Sequence, residues 1–331
     1  MEELLVTGRS NALIDPVLQI WTWEVAMYLF MGGLTAGVMI FSAAMILMGK
    51  DRVAPFSSYR LALLAPIVLS LGMTTLFLDL EHKLFVYQFY TSFQVTSPMS
   101  WGAWILVVIY PVSILQIAST LREGYPFIAG YVDKAKLGQV VLGWCEQYRR
   151  QIATIAIPFA IALGVYTGIL LSAFGARPFW NSGVLGPLFL VSGMSTAAAL
   201  VALIARQKSE KELFTRYDLV LLVFELALVA LFLINLSTGS SRQIEALQSV
   251  NGGPYTVVFW VVFVGLGLLI PLLLEALEIS GINKSLAVLA PVLVLIGGYV
   301  LRQVMVDVGQ ESTWTSYPSQ YSAELLDRLH R

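Results

Sequence analysis

The sequence predicts an all-α integral membrane protein with eight transmembrane helices, on three observations. Hydrophobic residues make up 57% of the chain and charged residues 12%, with a mean hydropathy of +0.77. Polar surface is therefore too scarce to coat a soluble globule of 331 residues. The apolar residues gather in eight stretches close to the roughly 20 residues that a helix needs to cross a bilayer. Such continuous runs exclude lipid-facing barrel strands, which alternate over about ten residues.

The expected spans are 18–48, 61–80, 101–121, 151–174, 184–206, 217–237, 256–278 and 285–305, in a single domain over 1–331. The first opens on Trp21 and Trp23 and carries Gly33 and Gly37, a GxxxG pair that lets another helix backbone come close. The second ends at Asp79, and the third follows Ser97-Pro98-Met99-Ser100. A second GxxxG pair, Gly164 and Gly168, marks the fourth, so a tight bundle is expected rather than an open pore. The fifth holds Ser192 and Ser195, the sixth Asp218 and Glu225, the seventh Glu275 and Glu278. Pro66, Pro111, Pro158, Pro187, Pro271 and Pro291 lie in or at the ends of spans, where they shape helices. The loop 122–150 is long and amphipathic in places and reads as a surface helix at the cytoplasmic interface.

Lys and Arg set the orientation. Loops after odd-numbered spans hold 13, from Lys50 to Lys284; the termini and other loops hold 7, among them Lys83, Arg177, Arg242 and Arg302. Positive residues stay on the cytoplasmic side, which puts both termini outside. The N-terminal segment carries Glu2, Glu3 and Asp15 rather than a basic n-region, so no cleaved signal peptide is expected. A net charge of −1 without a basic stripe argues against nucleic acid. Cys145 is the only cysteine, too few for an iron–sulfur cluster, and reads as an inert loop residue. With only His82 and His330, the chain lacks the paired ligands of a bis-histidine haem.

In this frame several polar groups fall in the outer half of the bilayer. Glu24 lies about two turns inside the first span, with Tyr28, Met31 and Thr35 on the same helix face. Asp79 closes the second span, followed by Glu81, His82 and Lys83. Tyr166, in the phrase Tyr166-Thr167-Gly168, belongs to the fourth, and Ser192 and Ser195 to the fifth. Plainer readings stand beside these: an aromatic belt for Trp21 and Trp23, a snorkelling Lys83, interhelical hydrogen bonds for the two serines. For Glu24 the plain reading is weaker, because a carboxyl within a span costs about 2.5–3.5 kcal/mol on insertion scales. An ionisable group beside aromatic walls suits a lipid-borne ligand whose redox chemistry exchanges protons, and a quinone fits. With neither haem nor cluster in the chain, electrons would pass directly to a centre in another subunit.

Over nearly its whole length the sequence resembles the NrfD/PsrC family of membrane subunits. The resemblance rests on residues 21–37 (WTWEVAMYLFMGGLTAG), Leu78-Asp79-Leu80, Ser97-Pro98-Met99-Ser100-Trp101-Gly102, the Tyr166-Thr167-Gly168 phrase, and Gly297-Gly298-Tyr299-Val300-Leu301-Arg302 through Gly309-Gln310. It implies two four-helix bundles and a menaquinone or ubiquinone site near the outer face of a prokaryotic cytoplasmic membrane. It further implies a ferredoxin-like 4Fe–4S partner and a catalytic subunit of molybdopterin, hydrogenase or cytochrome type. Carried over by motif, it points to Tyr166 and to the first-span position held here by Glu24, where some relatives have His. Asp79 and His82 are further candidates by position, with Trp21, Trp23, Tyr28 and Ser192 lining the ligand.

Asp218, Glu225 and Glu275 form a second set, at the inner ends of their spans or deeper, and could make a cytoplasmic half-channel for protons. Asp218, Glu275 and Glu278 read more simply as helix ends at the headgroups; Glu225 does not. Two other functions stay open from sequence: a proton or ion translocator without quinone chemistry, and an inert anchor.

Overall fold

A computed structural model of the chain describes residues 21–281 and 288–312. The acidic N-terminal segment, residues 18–20 and 285–287 of two expected spans, Lys284 and His330 lie outside these. Among the described residues the regular structure is helical throughout, and eight helices are long and apolar enough to cross a membrane. They are α1 (Trp23–Leu47), α2 (Leu61–Asp79), α3 (Pro98–Ala118), α4 (Arg149–Ser172), α5 (Leu185–Ile204), α6 (Lys208–Ser237), α7 (Val257–Ile279) and α8 (Leu289–Glu311).

Two bounds differ usefully from the expected ones. α6 begins at Lys208, nine residues before the apolar run: its first turns are polar in sequence, yet they turn Glu210, Phe214 and Thr215 into the protein. α8 runs on to Glu311, since Arg302, Asp307 and Gln310 are not a tail: Arg302 is fully buried and Gln310 nearly so. Arg302 thus leaves the set of outer loop charges. The first 13 residues of α7, Val257–Leu269, are wound in wide π turns before the helix tightens.

Packing follows the small residues. α1 is buried around most of its circumference and meets α2, α4, α5 and α8. A Cβ on Gly37 would stand 2.5 Å from the Gly193 carbonyl oxygen of α5, and one on Gly193 would stand 2.5 Å from the Gly33 carbonyl oxygen. Both glycines of the α1 pair are therefore used by one close crossing. Gly168 of α4 meets the start of α5, where a Cβ would lie 2.2 Å from the Leu185 carbonyl oxygen. α7 and α8 cross at Gly267 and Gly297, a contact the GxxxG spacing does not mark. α3 packs on α4, α6 on α5, and α7 on α8 and α6.

At the end carrying the α1–α2 turn, Glu210 is fully buried, with no basic partner among the described residues. It accepts from Ser57 N and Ser57 Oγ, both 2.7 Å, and from Phe56 N, 3.2 Å, at the start of the short helix Pro55–Tyr59. These orphan amides of a helix N-terminus are suited to a carboxylate. In the 122–150 segment the expected surface helix is Lys136–Gln147, with Leu142 and Cys145 turned inward. Cys145 is thus a buried helical residue rather than a loop residue, and burial pushes its thiol up. Arg122 ties the segment together through Asp133 and Glu146, each at 2.7 Å, and holds the Asp133 carboxyl below its usual range.

Candidate functional site

A cavity of about 510 Å³ lies among α1, α2, α3 and α4, toward the end where α2 runs into α3. Its walls are mostly apolar, from Val25 and Leu29 of α1, Met73 and Phe77 of α2, Ala103 and Leu106 of α3, and Leu170 of α4. Ser70, Thr74 and Phe77 line it yet are exposed, so it opens sideways between α2 and α3, toward the lipid.

The polar groups that line this space are the phenols of Tyr28, Tyr90, Tyr110 and Tyr166, the hydroxyls of Ser70 and Thr74, the Trp21 indole and the Asp79 carboxyl. Tyr28 and Tyr166 are 4% and 5% exposed, and neither hydroxyl has a hydrogen-bond partner among the described residues. They lie close enough to interact electrostatically with each other, and Tyr90 from the α2–α3 segment joins them. Neither hydroxyl oxygen is sealed in protein; both open on the cavity, where each can donate to an acceptor. Tyr110 is already engaged with Ser70, at 3.1 Å. Asp79 ends α2 at the mouth and also lines a wider recess, about 810 Å³, bounded by Glu81, His82, Gln88 and Gln94.

Local sequence explains why Tyr166 stands here. Thr167 turns its hydroxyl back on the Gly164 carbonyl at 2.8 Å, and Gly168 takes the α5 backbone. The two residues after Tyr166 thus fix α4 against its neighbours while the tyrosine itself faces the cavity. The following Arg177-Pro178-Phe179-Trp180 stretch is pinned to α8: Arg177 donates to the Ser312 carbonyl at 2.9 Å, and Trp180 Nε1 to that of Met305 at 2.6 Å. Trp21 stacks on Trp180 with ring centroids 5.5 Å apart, and Gln310 clamps its peptide, accepting from its N at 2.8 Å and donating to its O at 2.7 Å.

Of the residues singled out from sequence, Trp21, Tyr28, Asp79 and Tyr166 share this cavity. Glu24 does not line it; it is partly buried beside the mouth, accepts from the Thr22 hydroxyl, and lies near enough for its charge to act on Asp79. Trp23 is 47% exposed and borders a smaller polar recess with Asp307 and Glu311. His82 lies in the wider recess, edge-on to Phe85. Tyr90, Tyr110, Ser70 and Thr74 escaped the sequence reading, since Tyr90 sits in the short helix Gln88–Thr91 between two spans and the other three are ordinary polar residues of apolar helices.

Ser192 and Ser195 belong to a different place, inside α5, α6, α7 and α8. Ser192 accepts from Arg302 Nη1 at 2.5 Å, and the guanidinium also donates to the Gly298 and Phe189 carbonyls at 2.8 and 3.0 Å. Glu225 faces Ser192 and Arg302 from α6. Ser195 donates to Asp218 Oδ1 at 2.6 Å, and the Glu275 carboxyl faces Asp218 with no N–H or O–H donor of its own among the described residues. Asp218 and Glu275 are 0% and 1% exposed, so both carboxyls face protein rather than the surroundings of the helices. A carboxyl–carboxyl contact is attractive only when one of the two carries a proton.

Comparison with known proteins adds a second line. The family model described as "Polysulphide reductase, NrfD" matches residues 9–312. The sequence is 30% identical over 305 residues to the Protein NrfD of Escherichia coli K12, covering 88% of this protein and 95% of the relative. It is 27% identical over 304 residues to the C polypeptide of the polysulfide reductase of Wolinella succinogenes, covering 88% and 94%. It is also 24% identical over 314 residues to the C polypeptide of the selenate reductase of Mesobacillus selenatarsenatis, covering 86% and 73%.

Proposed function

Because this chain belongs to the polysulphide reductase NrfD family, we propose that it is the quinone-reactive membrane subunit of a respiratory oxidoreductase complex. The observation that carries this reading is the pair of buried, unpartnered phenols, Tyr28 and Tyr166, at an apolar cavity open to lipid. Those residues fit a quinone headgroup: carbonyl oxygens need donors, the ring needs apolar walls, and entry is lateral. A quinol supplies two electrons and two protons when oxidised. Tyr28 and Tyr166 orient the ring by donating to its oxygens, Asp79 exchanges a proton at the mouth, and the open recess beyond, with His82, connects Asp79 to water. Glu24 biases Asp79 by its charge rather than touching the ring.

Electrons pass between the quinone and a centre in a partner subunit. Two relatives are named as components of polysulfide and selenate reductases, which supports a ferredoxin-like 4Fe–4S partner and a catalytic subunit here. The positive-inside pattern supports a cavity toward the outer face of a prokaryotic cytoplasmic membrane with both termini on that side, and the family resemblance supports α1–α4 and α5–α8 as two four-helix bundles. Quinone type and direction of electron flow follow from the partner.

The buried set Arg302, Glu225, Asp218 and Glu275 favours a second element, proton movement through α5–α8. Ionisable groups at such depth are seldom kept without a task. The test is turnover of the purified complex with a quinol and its acceptor. Tyr28→Phe together with Tyr166→Phe should lower quinol turnover at least tenfold and raise the quinol KM, with partner subunits still bound. Full turnover in that variant would sink the site assignment; a Glu225→Gln variant that still moves protons at the native ratio would remove the proton path.

A further inference from the structure

At the opposite end of the molecule from Asp79, a cavity of about 340 Å³ lies between the first turns of α6 and the end of α7. Lys208, Lys211, Thr215 and Arg216 stand at i, i+3, i+7 and i+8, on one helix face. Glu212 shares that wall, and Glu278 approaches from α7, which ends at Gly281 in the left-handed region, φ +76°. Three cations thus meet two carboxylates. The ion pair along the α6 wall is loose: Lys208 and Glu212 are 3.7 Å apart, with side chains 76% and 53% exposed. Such a pair contributes little and leaves the lysine available to another anion.

What lies next to the cavity decides the kind of anion. Val220, Val223 and Phe224 continue α6 beyond Arg216, and Leu273 and Leu277 precede Glu278 on α7; all five are exposed on spanning helices. A cationic pocket therefore passes directly into an apolar, lipid-facing wall. A free phosphate would use only the first feature. A phospholipid uses both, with its phosphate on the cations and its acyl chains along the helices. The planar guanidinium of Arg216 suits two phosphate oxygens at once, and the lysines act as point charges.

We propose that the α6–α7 cavity is a binding site for the headgroup of an anionic phospholipid. It is independent of the quinone reading and is tested without quinone. The complex is purified in detergent with its partner subunits and exposed to phosphatidylglycerol, phosphatidylcholine or inorganic phosphate. Native mass spectrometry should show phosphatidylglycerol retained at least tenfold more tightly than phosphatidylcholine, and thermal unfolding should shift upward by several degrees with the anionic lipid alone. Lys208→Gln, Lys211→Gln and Arg216→Gln together should abolish both effects, while Lys134→Gln with Lys136→Gln, on the other basic loop, should leave them intact. Equal retention by the triple variant, or equal affinity for phosphatidylcholine, overturns the proposal. A full thermal shift with inorganic phosphate alone overturns the lipid as the source of the anion. Should the triple variant fail to fold, a photoreactive phosphatidylglycerol on the unaltered complex should label the segment 208–216; labelling confined to other segments overturns the site.

Discussion

The phenol of Tyr166 in α4 occupies the place that a side chain on Gly102 of α3 would need: a Cβ there would lie 1.9 Å from both its Cζ and its Oη. The glycine is what lets the ring lie between two helices and still reach the cavity. Gly102→Ala should therefore displace Tyr166, at a stability cost of about 1–3 kcal/mol typical of overpacking. Quinol turnover should fall about tenfold or more. The steric cause is checked by pairing it with Tyr166→Ala: the double variant should turn over like Tyr166→Ala alone, because the clash has no partner left. Native turnover in Gly102→Ala would show that the ring's position does not matter.

Glu210 gives a prediction about the fold alone. Its carboxylate bonds two amides and the hydroxyl at Phe56 and Ser57, joining the α1–α2 connection to α6. Glu210→Ala leaves those donors facing a gap, and a buried unmade hydrogen bond costs about 1–3 kcal/mol. The expected outcome is a loss of about 2 kcal/mol or more, read as a shorter half-life at elevated temperature in detergent. Turnover per folded molecule should stay native, since the site lies at the other end from Asp79.

The eight spans were legible because length and apolarity are properties of composition, and lipid demands both. The Tyr-Thr-Gly phrase was legible as a site for the same reason, as polar groups in an apolar run. What sequence could not supply was the direction of each side chain around its helix. Ser192 and Glu24 fall at plausible depths, yet one points to Arg302 and the other lies beside the mouth rather than in it. Arg302 itself looked like a loop charge because it stands three residues before the end of the apolar run. The helix in fact carries on for nine residues past Arg302, where Gln310 is buried against Trp21 and the partly buried Asp307 accepts from Gln303.

The Asp218–Glu275 contact separates stability from proton movement. Among the described residues Asp218 Oδ2 has no donor, and neither has either oxygen of Glu275. In Glu275→Gln an amide N–H can donate to Asp218, a hydrogen bond worth about 0.5–1.5 kcal/mol or somewhat more to a charged acceptor. The variant should be as stable as the native protein or more so. If these carboxyls carry protons, translocation should be lost while quinol oxidation continues. A Glu275→Gln variant that is less stable would show that the two carboxyls do not face each other as described; one that still moves protons would exclude Glu275 from the path.

Arg302 offers the sharpest test of the α5–α8 interior. Its guanidinium spans three acceptors on α5 and α8, with Gly33 of α1 leaving room beside it: a Cβ there would lie 3.1 Å from Nη2. A lysine ammonium is a single point and cannot reach Ser192 Oγ and the Phe189 carbonyl with the same fork. Arg302→Lys should thus destabilise more than Ser192→Ala, which removes one neutral acceptor at about 1 kcal/mol. Arg302→Met goes further, removing the cation that lies near Glu225 and leaving three acceptors without their donor, at about 1–3 kcal/mol for a buried unmade hydrogen bond. Adding Glu225→Gln to Arg302→Met should recover part of that loss, since an uncharged pair leaves no buried charge uncompensated. The measurement is a double-mutant cycle on unfolding in mixed micelles, with an expected coupling of at least about 1 kcal/mol. Strict additivity would mean that Arg302 and Glu225 do not share one electrostatic site.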